Sequence, residues 1–286
     1  MKLRKCLTLC VAVCASLWVS VGVAQTPQRI VAVDGAITEI IYALGAESLL
    51  VGVDTTSIFP AAARDLPSVG YRRILTAEGL LALQPDLILA TAESGPKATL
   101  EHLASVGVKI VTVPDVHRPD DILQRVAQIA AVLDRPQQGE QLQQKLQQQI
   151  AGLQRLLPEP DPKPVLFLLA AGTHGVMLAG QGTQAQMVLD VLQLPNAVAN
   201  VESYKPFNAE AALALQPELI VVAETQPGAF NLASLPALAA TPAAQHNRVL
   251  VLDSMYLLSG GPRWPAALLD VLQFAQGNGE LARVDH

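Results

Sequence analysis

A tyrosine followed by two arginines is the first candidate for chemistry in this sequence. Tyr71, Arg72 and Arg73 lie in a loop that leads into a short helix. A phenol ordinarily ionises at about pH 10, and a neighbouring guanidinium favours its anion. The resulting phenolate is a hard, anionic oxygen donor. On sequence position alone, an ordinary loop tyrosine beside two solvated arginines is the favoured interpretation.

The second candidate is a glutamate that recurs in a repeated segment. LTAEGLLALQPDLILA (Leu75–Ala90) matches FNAEAALALQPELIVV (Phe207–Val222) without a gap, and this match places Glu78 opposite Glu210. Two matched units in one chain indicate two related lobes. Each glutamate lies in the first turn of a predicted helix, where the helix dipole favours negative charge by about 0.3–1 kcal/mol. Helix stabilisation is one interpretation of the pair, and docking through two equivalent carboxylates is the other.

Motifs typical of enzymes are absent from the sequence. It contains neither H-E-x-x-H nor G-x-S-x-G, and its 5 histidines are scattered. The glycine-rich segment from Gly172 to Gly182 matches neither the P-loop nor the dinucleotide-binding spacing, so we interpret it as a loop at the edge of a lobe. The sequence therefore argues against an enzyme. A metal-dependent hydrolase or a redox protein is kept as the alternative from that class.

The N-terminus has the features of a secretory signal peptide. A basic start precedes an apolar run from Leu7 to Val23, and small residues up to Ala24 offer a cleavage site. We expect residues 1–24 to be removed on export to the periplasm, with a membrane anchor as the alternative because the apolar run approaches the length of a span.

Removal of the signal peptide changes the composition of the chain. All 3 cysteines leave with it, which excludes cysteine chemistry in the mature protein. Three basic residues leave as well, so Lys and Arg fall from 19 to 16 against 25 Asp and Glu, and the net charge changes from −6 to −9. We expect no nucleic-acid partner for an acidic chain without basic runs.

Apolar runs along the chain predict strands that alternate with helices. The predicted strands are Arg29–Asp34, Leu49–Val53, Asp86–Ala90, Val108–Val113, Val165–Ala171, Glu218–Ala223 and Val249–Asp253. Besides the two repeat helices, the predicted helices are Thr38–Leu44, Pro96–Val106, Asp120–Leu133, Thr183–Leu192 and Pro265–Gln276. This alternation favours an α/β fold with parallel sheets and right-handed crossovers.

A longer helix is predicted in the middle of the chain. From Pro136 to Leu157 there is no helix breaker, and leucines recur at helical spacing. We interpret this segment as a rigid helix between the lobes. A coiled-coil dimer is the alternative, but the segment covers only about three heptads, which is at the lower limit for a coiled coil. The predicted organisation is a first lobe at residues 28–135, a linking helix at 136–158 and a second lobe at 163–286, in a protein that we expect to be monomeric.

The repeat and this layout resemble the helical-backbone family of periplasmic substrate-binding proteins of ABC transporters. Members have two α/β lobes with central, mainly parallel sheets joined by one long α-helix, and they bind cobalamin, ferric siderophores or haem. The resemblance covers about residues 28–280 and is strongest in A-E-x-x-x-A-L-Q-P-[DE]-L-I, present in both lobes. It implies ligand capture for an inner-membrane permease and its ATPase, without a reaction. It also implies that Glu78 and Glu210 pair with arginines of the permease.

The loop that contains Tyr71 resembles that of the haem-binding members, in which a tyrosine ligates the iron. The resemblance implies that ferric haem is the transported ligand and that Tyr71 is its iron ligand. Arg72 and Arg73 would then contact the phenolate or the haem propionates. His174 lies in a second-lobe loop from which some members supply a second axial ligand or hold a second haem, and an ordinary loop histidine is equally open. Arg263 resembles a second-lobe arginine near the haem, with a capping or surface arginine as the alternative.

Several second-lobe residues are weaker candidates for the wall of a pocket. Tyr204, Lys205 and Tyr256 fall in predicted loops, whereas Met177 and Met255 are expected to pack. A cobalamin or ferric-siderophore receptor of the same fold is the main alternative to a haem receptor. A receptor for a first-row metal ion would need several His, Asp or Glu at the lobe interface, which the sequence does not offer.

Overall fold

The computed structural model describes residues 27–157, 162–172 and 175–277. The predicted signal peptide, residues 1–24, and the candidate ligand His174 lie outside these ranges. Within them, two sheets are joined by one long helix, as the sequence predicts. No helix in these ranges combines the length and the apolar character needed to cross a membrane.

The first sheet contains four parallel strands in the order β2-β1-β3-β4. They are β1 (Ile30–Val33), β2 (Leu50–Val53), β3 (Leu87–Thr91) and β4 (Lys109–Val113). Alternate residues of β1 belong to two different core clusters, because successive side chains point to opposite faces of a strand. Both faces are therefore covered, which explains why the strands read as continuous apolar runs.

Four helices flank this sheet. They are α1 (Gly35–Ala43), α2 (Ala77–Leu81), α3 (Lys97–Ser105) and α4 (Pro119–Val132). Gly35 opens α1 in a crowded position, since a Cβ there would lie 2.4 Å from the carbonyl oxygen of Thr56. The first-lobe strands and helices predicted from the sequence are confirmed to within a few residues.

The linking helix α5 (Pro136–Gln154) buries its apolar stripe within the same chain. Leu142, Leu146 and Leu153 are buried, and the helix packs against α4 and against the last helix, α11 (Trp264–Ala275). Gly139 permits the close approach to α4, because a Cβ there would lie 2.5 Å from that of Ala130. The stripe is occupied by the chain's own helices, so the coiled-coil alternative is wrong.

The second sheet is mixed and has the order β7-β6-β5-β8-β9. Its strands are β5 (Val165–Ala170), β6 (Val176–Ala179), β7 (Tyr204–Pro206), β8 (Leu219–Glu224) and β9 (Val249–Asp253). β5, β8 and β9 are parallel, as predicted, whereas β6 pairs antiparallel with both β5 and β7. The prediction that residues 172–182 form a loop throughout is therefore wrong, and so is the loop predicted around Tyr204 and Lys205, because each segment contributes a short strand to the sheet.

Short helices complete the second lobe. Besides α11, they are α6 (Gln184–Val191), α7 (Ala209–Leu215), α8 (Pro236–Ala239), α9 (Pro242–Gln245) and α10 (Ser254–Leu258). The last three of these were not predicted, since each spans only 4 or 5 residues and shows no helical period.

The two repeated segments adopt the same conformation. Thr76 caps α2 by accepting a hydrogen bond from Gly79 N, and Asn208 caps α7 by accepting one from Glu210 N. After each helix the chain turns through a glutamine in the left-handed region, Gln84 with φ 47° and Gln216 with φ 43°. In each copy this turn lies directly before a proline, Pro85 or Pro217, which cannot continue a helix. The repeat in the sequence is a structural repeat.

Candidate functional site

The carboxyl ends of β1 and β3 form the edge where a ligand is expected in this type of sheet. The connection after β1 leads to β2 on one side of β1, whereas β3 pairs with β1 on the other side. A crevice therefore opens outside the carboxyl ends of β1 and β3. Asp34 follows β1 directly, and Glu93 lies just beyond β3. Arg72 joins them, with Nη1 2.9 Å from Asp34 Oδ2 and Nη2 3.0 Å from Glu93 Oε2.

Tyr71 lies next to this edge in a loop whose backbone is held on both sides. Thr55 N–H donates to Gly70 O at 3.1 Å, and Gly95 N–H donates to Arg72 O at 2.9 Å. The Tyr71 side chain is 40% exposed, so it is not buried in the interior. The loop thus presents a phenol to solvent from a fixed backbone beside the switch point of the sheet.

The two arginines share one carboxylate but differ in access. Arg73 Nη2 lies 2.6 Å from Glu93 Oε2, the same oxygen that Arg72 contacts. Although burial acts to raise the pKa of Glu93, the hydrogen bond from Arg73 and the charges of both arginines lower it below its ordinary value. The pKa of Arg73 is raised, mainly by its hydrogen bond to Glu93 and to a smaller extent by Tyr71. The Arg73 side chain is 52% exposed and that of Arg72 only 21%, so Arg73 is the more accessible cation.

A buried acidic cluster beneath the edge was not predicted. Asp54 accepts hydrogen bonds from Asp34 N at 3.1 Å and from the hydroxyls of Thr56 and Ser57 at 2.9 and 3.0 Å. Burial raises the pKa of Asp54, and the hydrogen bonds from Thr56 oppose that rise. These contacts hold Asp34 at a φ of 142°, where a residue with a side chain is strained. The cluster therefore positions the carboxylate that Arg72 contacts.

Arg263 crosses the boundary between the lobes. Its Nε and Nη2 lie 3.0 and 2.6 Å from the two carboxylate oxygens of Glu39 on α1, a bidentate pair. The guanidinium stacks on Phe59 at 3.8 Å and lies 5.1 Å from the ring centre of Tyr256. Burial raises the pKa of Glu39, against the hydrogen bond and charge of Arg263. Sequence reasoning identified Arg263 but missed Glu39, which lies 224 residues earlier.

The weaker second-lobe candidates differ in exposure. Tyr256 is buried on α10 and its hydroxyl donates to Asp270 Oδ2 at 2.9 Å; burial and this contact raise its pKa. Tyr204 and Lys205 lie in β7, where Lys205 is exposed and burial raises the pKa of the half-buried Tyr204. Met255 packs as predicted, with its Cε 2.9 Å from where a Cβ on Gly35 would lie.

The repeated glutamates are on the surface of both lobes. Glu78 and Glu210 are exposed, and within the described ranges neither forms an ion pair. Both lie in the first turn of their helices, α2 and α7, as predicted. In the same ranges, no group of three or more His, Cys, Asp or Glu could hold a metal ion.

A protein family described as periplasmic binding protein matches residues 30–256. This chain belongs to that family. The match runs through the first sheet, the linking helix and the second sheet, and it confirms the resemblance to two-lobed periplasmic binding proteins.

Solved structures with the same fold include heme-binding proteins. The periplasmic heme-binding protein RhuT from Roseiflexus sp. RS-1 in its apo form is 34% identical, with a TM-score of 0.82 over 88% of this chain and 99% of that chain. A periplasmic heme-binding protein from Pseudomonas aeruginosa is 35% identical, with a TM-score of 0.79 over 90% of this chain and 95% of that chain. The similarity thus extends over both lobes.

Curated relatives also include proteins named for another ligand. The vitamin B12-binding protein of Photorhabdus laumondii subsp. laumondii is 30% identical over 201 residues, which is 70% of this chain and 72% of that protein. The proteins similar to this chain therefore include ones named for haem and ones named for vitamin B12.

Proposed function

We propose that this protein is the periplasmic receptor of an ABC importer and captures ferric haem between its two lobes. The mature chain, released by cleavage of its signal peptide, would carry haem as a monomer to an inner-membrane permease and its ATPase. It would catalyse no reaction.

The observation that carries the proposal is the exposed phenol of Tyr71 beside the switch point of the first sheet. Ferric iron prefers a hard, anionic oxygen donor, and tyrosinate is such a ligand. The loop backbone is hydrogen-bonded on both sides of Tyr71, so little ordering is needed when the iron binds. The 34–35% identity to heme-binding proteins over nearly the whole chain supports the same ligand.

The arginines supply positive charge for the haem propionates. Arg73 is the better placed of the adjacent pair, because half of its side chain is exposed and Glu93 is its one carboxylate partner in the described ranges. Arg72 divides its guanidinium between Asp34 and Glu93, so it holds the edge together and adds to the local field. Arg263 is the proposed partner on the second-lobe side, kept at the lobe boundary by Glu39. His174 stays the proposed second ligand.

Glu78 and Glu210 are the proposed contacts with the permease. One exposed carboxylate on each lobe, at the same place in the same helix, can fix orientation when both meet cations of the partner.

Titration of the mature protein with hemin tests the proposal. We expect a Soret band together with a charge-transfer band typical of a high-spin ferric tyrosinate centre. Tyr71→Phe removes the donor oxygen and should weaken hemin binding at least about a hundredfold, whereas Tyr42→Phe on α1 should leave it unchanged. Hemin binding that is unaffected by Tyr71→Phe would contradict the assignment.

Vitamin B12 is the second candidate, because the curated relatives carry that name. A receptor for this ligand would bind cyanocobalamin tightly and hemin weakly, and Tyr71→Phe would have little effect on the cobalamin affinity. Parallel titrations of the two ligands with wild type and Tyr71→Phe therefore separate the two functions.

A further inference from the structure

Glu93 contacts both of the adjacent arginines that follow Tyr71. A single oxygen of its carboxylate, Oε2, lies 3.0 Å from Arg72 Nη2 and 2.6 Å from Arg73 Nη2. Burial favours the neutral acid, but the hydrogen bond from Arg73 and the charges of both arginines outweigh it and lower the pKa of Glu93. The carboxylate is therefore ionised at neutral pH, and a carboxylate of a ligand must compete with it for the same cations.

The contact between Glu93 and Arg73 is of the kind that a ligand can displace. The two side chains are 50% and 52% exposed, and exposed ion pairs add little stability. Ser94 N–H donates a hydrogen bond to Thr91 O at 3.0 Å, so the turn that contains Glu93 is held by its own backbone. Rotation of the Glu93 side chain into solvent therefore frees Arg73 without unfolding the turn.

The buried ion pairs nearby differ from this contact. Glu39 binds Arg263 through both carboxylate oxygens, and the Glu39 side chain is only 5% exposed. Asp34, which contacts Arg72, has a side chain that is 7% exposed. A buried carboxylate cannot turn into solvent without a rearrangement of the surrounding structure. Among these three acids, Glu93 is thus the one that can leave its cation when a ligand arrives.

We propose that Glu93 stands in for a carboxylate of the ligand while the cleft is empty, and that a haem propionate replaces it at Arg73 on binding. The exchange keeps the charge at Arg73 balanced, since one carboxylate leaves as another arrives. Glu93 touches no ligand atom and acts on the affinity through Arg73, because it competes during binding and takes the cation back on release. This inference rests on the proposed haem function.

Titration of the mature protein with hemin and with hemin dimethyl ester tests the inference. We expect Glu93→Gln to bind hemin about fivefold more tightly than the wild type, because a neutral amide competes poorly for Arg73. The affinity for the dimethyl ester should change by less than about twofold, since esterified propionates carry no charge.

Glu101→Gln is the matched control for the loss of one negative charge. Glu101 on α3 is also exposed and pairs with a cation, Lys97, at 3.5 Å. This variant should leave both affinities unchanged. Thermal midpoints would verify that every variant is folded.

A double variant identifies the cation through which Glu93 acts. In the Arg73→Gln background, the gain in hemin affinity from Glu93→Gln should disappear, because the two residues are coupled through one contact. A gain of the same size in that background would show that Glu93 does not compete at Arg73, and it would overturn the inference.

The remaining outcomes separate this inference from the haem proposal. Equal or weaker hemin binding by Glu93→Gln overturns the inference, and so does an equal gain for the dimethyl ester or for Glu101→Gln. Hemin binding that depends on Tyr71 but not on Glu93 leaves the haem proposal intact and removes the inference alone. Failure of both the wild type and Glu93→Gln to bind hemin removes the haem proposal and the inference with it.

Discussion

The two lobes share a repeated helix but differ in the loop that precedes it. Extending the gapless match backward places Ser203 opposite Tyr71 and Lys205 opposite Arg73. In the first lobe this loop stays outside the sheet and exposes Tyr71. In the second lobe it forms strand β7, which pairs with β6. One structural unit thus occurs in two settings, because the helix is the same in both lobes whereas only the first-lobe loop exposes a tyrosine.

The acids at the ends of the central strands differ in the same way. Glu93, beyond β3, binds the guanidinium groups of Arg72 and Arg73. Glu224, at the end of β8, instead accepts hydrogen bonds from the backbone N–H of Gly228 and Phe230 at 3.1 and 3.3 Å. The first-lobe acid holds cations at the edge, whereas the second-lobe acid stabilises its own turn.

The largest effect on transport is expected at the glutamates that occupy the same position in both lobes, Glu78 and Glu210. Glu78→Lys combined with Glu210→Lys should abolish uptake and weaken the complex with the permease more than about a hundredfold, because like charges would face each other at two contacts. Hemin affinity should not change. Glu140→Lys, on the exposed side of α5, is the control for charge reversal. Wild-type uptake by the double variant would show that the shared helices do not dock.

The next largest effect is expected at the ion pair between Arg263 and Glu39, which joins the two lobes. Arg263→Met should lower the free energy of unfolding by about 3 kcal/mol at pH 7, because it leaves the carboxylate of Glu39 buried without a partner. The double variant Glu39→Leu, Arg263→Met should recover most of this loss. Chemical denaturation of both proteins measures the difference.

The pH dependence of Arg263→Met provides a second check. Burial raises the pKa of Glu39 above its ordinary value of 4.5, and loss of Arg263 raises this pKa further. A carboxyl group with a raised pKa favours the folded state below pH 4.5, and this contribution is lost as the pH rises through the folded-state pKa. The deficit of Arg263→Met should therefore shrink as the pH falls from 7 toward 4.5. A deficit independent of pH would mean that packing of the arginine, not its charge, causes the loss.

A smaller effect is expected at the matched cations. Arg73→Gln should weaken hemin binding about fivefold, since a partly exposed charge would no longer meet a propionate. Lys205→Gln, at the corresponding place in β7, should change the affinity by less than about twofold. Equal losses of hemin affinity in the two variants, measured by hemin titration, would contradict the proposal that the first-lobe loop contributes more to ligand binding than the matched second-lobe segment.

The smallest effect is expected at the left-handed glutamines. Gln84→Gly and Gln216→Gly should each stabilise the fold by about 0.5 kcal/mol, because glycine adopts a positive φ without steric cost. Gln147→Gly inside α5 should instead destabilise it by about 1 kcal/mol. Thermal unfolding of the three variants compares the repeat copies. If one of the two glycine variants, Gln84→Gly or Gln216→Gly, were stabilised and the other destabilised, the two repeat copies would not be structurally equivalent at this turn.

The regular parts of the fold were predictable because their signals are local. The apolar runs of β1, β3, β5 and β8 and the repeat itself can be identified without any tertiary information. β6 and β7 were missed because 3 or 4 residues among glycines and polar residues carry no period, and each is a strand only because it pairs with a neighbour.

The candidate site was only partly predictable. Tyr71, Arg72 and Arg73 were identified as a group because they are adjacent in the sequence. Their carboxylate partners were not: Asp34 lies 38 residues from Arg72, and no local pattern distinguishes Glu93 from other acids. A signal was available for Asp34, since an aspartate that directly follows a buried strand marks the edge where ligands bind.

The sequence by itself determined the two-lobed α/β plan, the linking helix and the repeated helix with its glutamate, because composition, period and repetition are properties of neighbouring residues. Only the tertiary structure decided which charges pair. Arg263 meets Glu39 across 224 residues because folding brings the turn before the last helix against α1, and Arg72 joins Asp34 to Glu93 because β1 and β3 are neighbours in the sheet. Pairing energies depend on distance and burial, and neither quantity exists until the chain has folded.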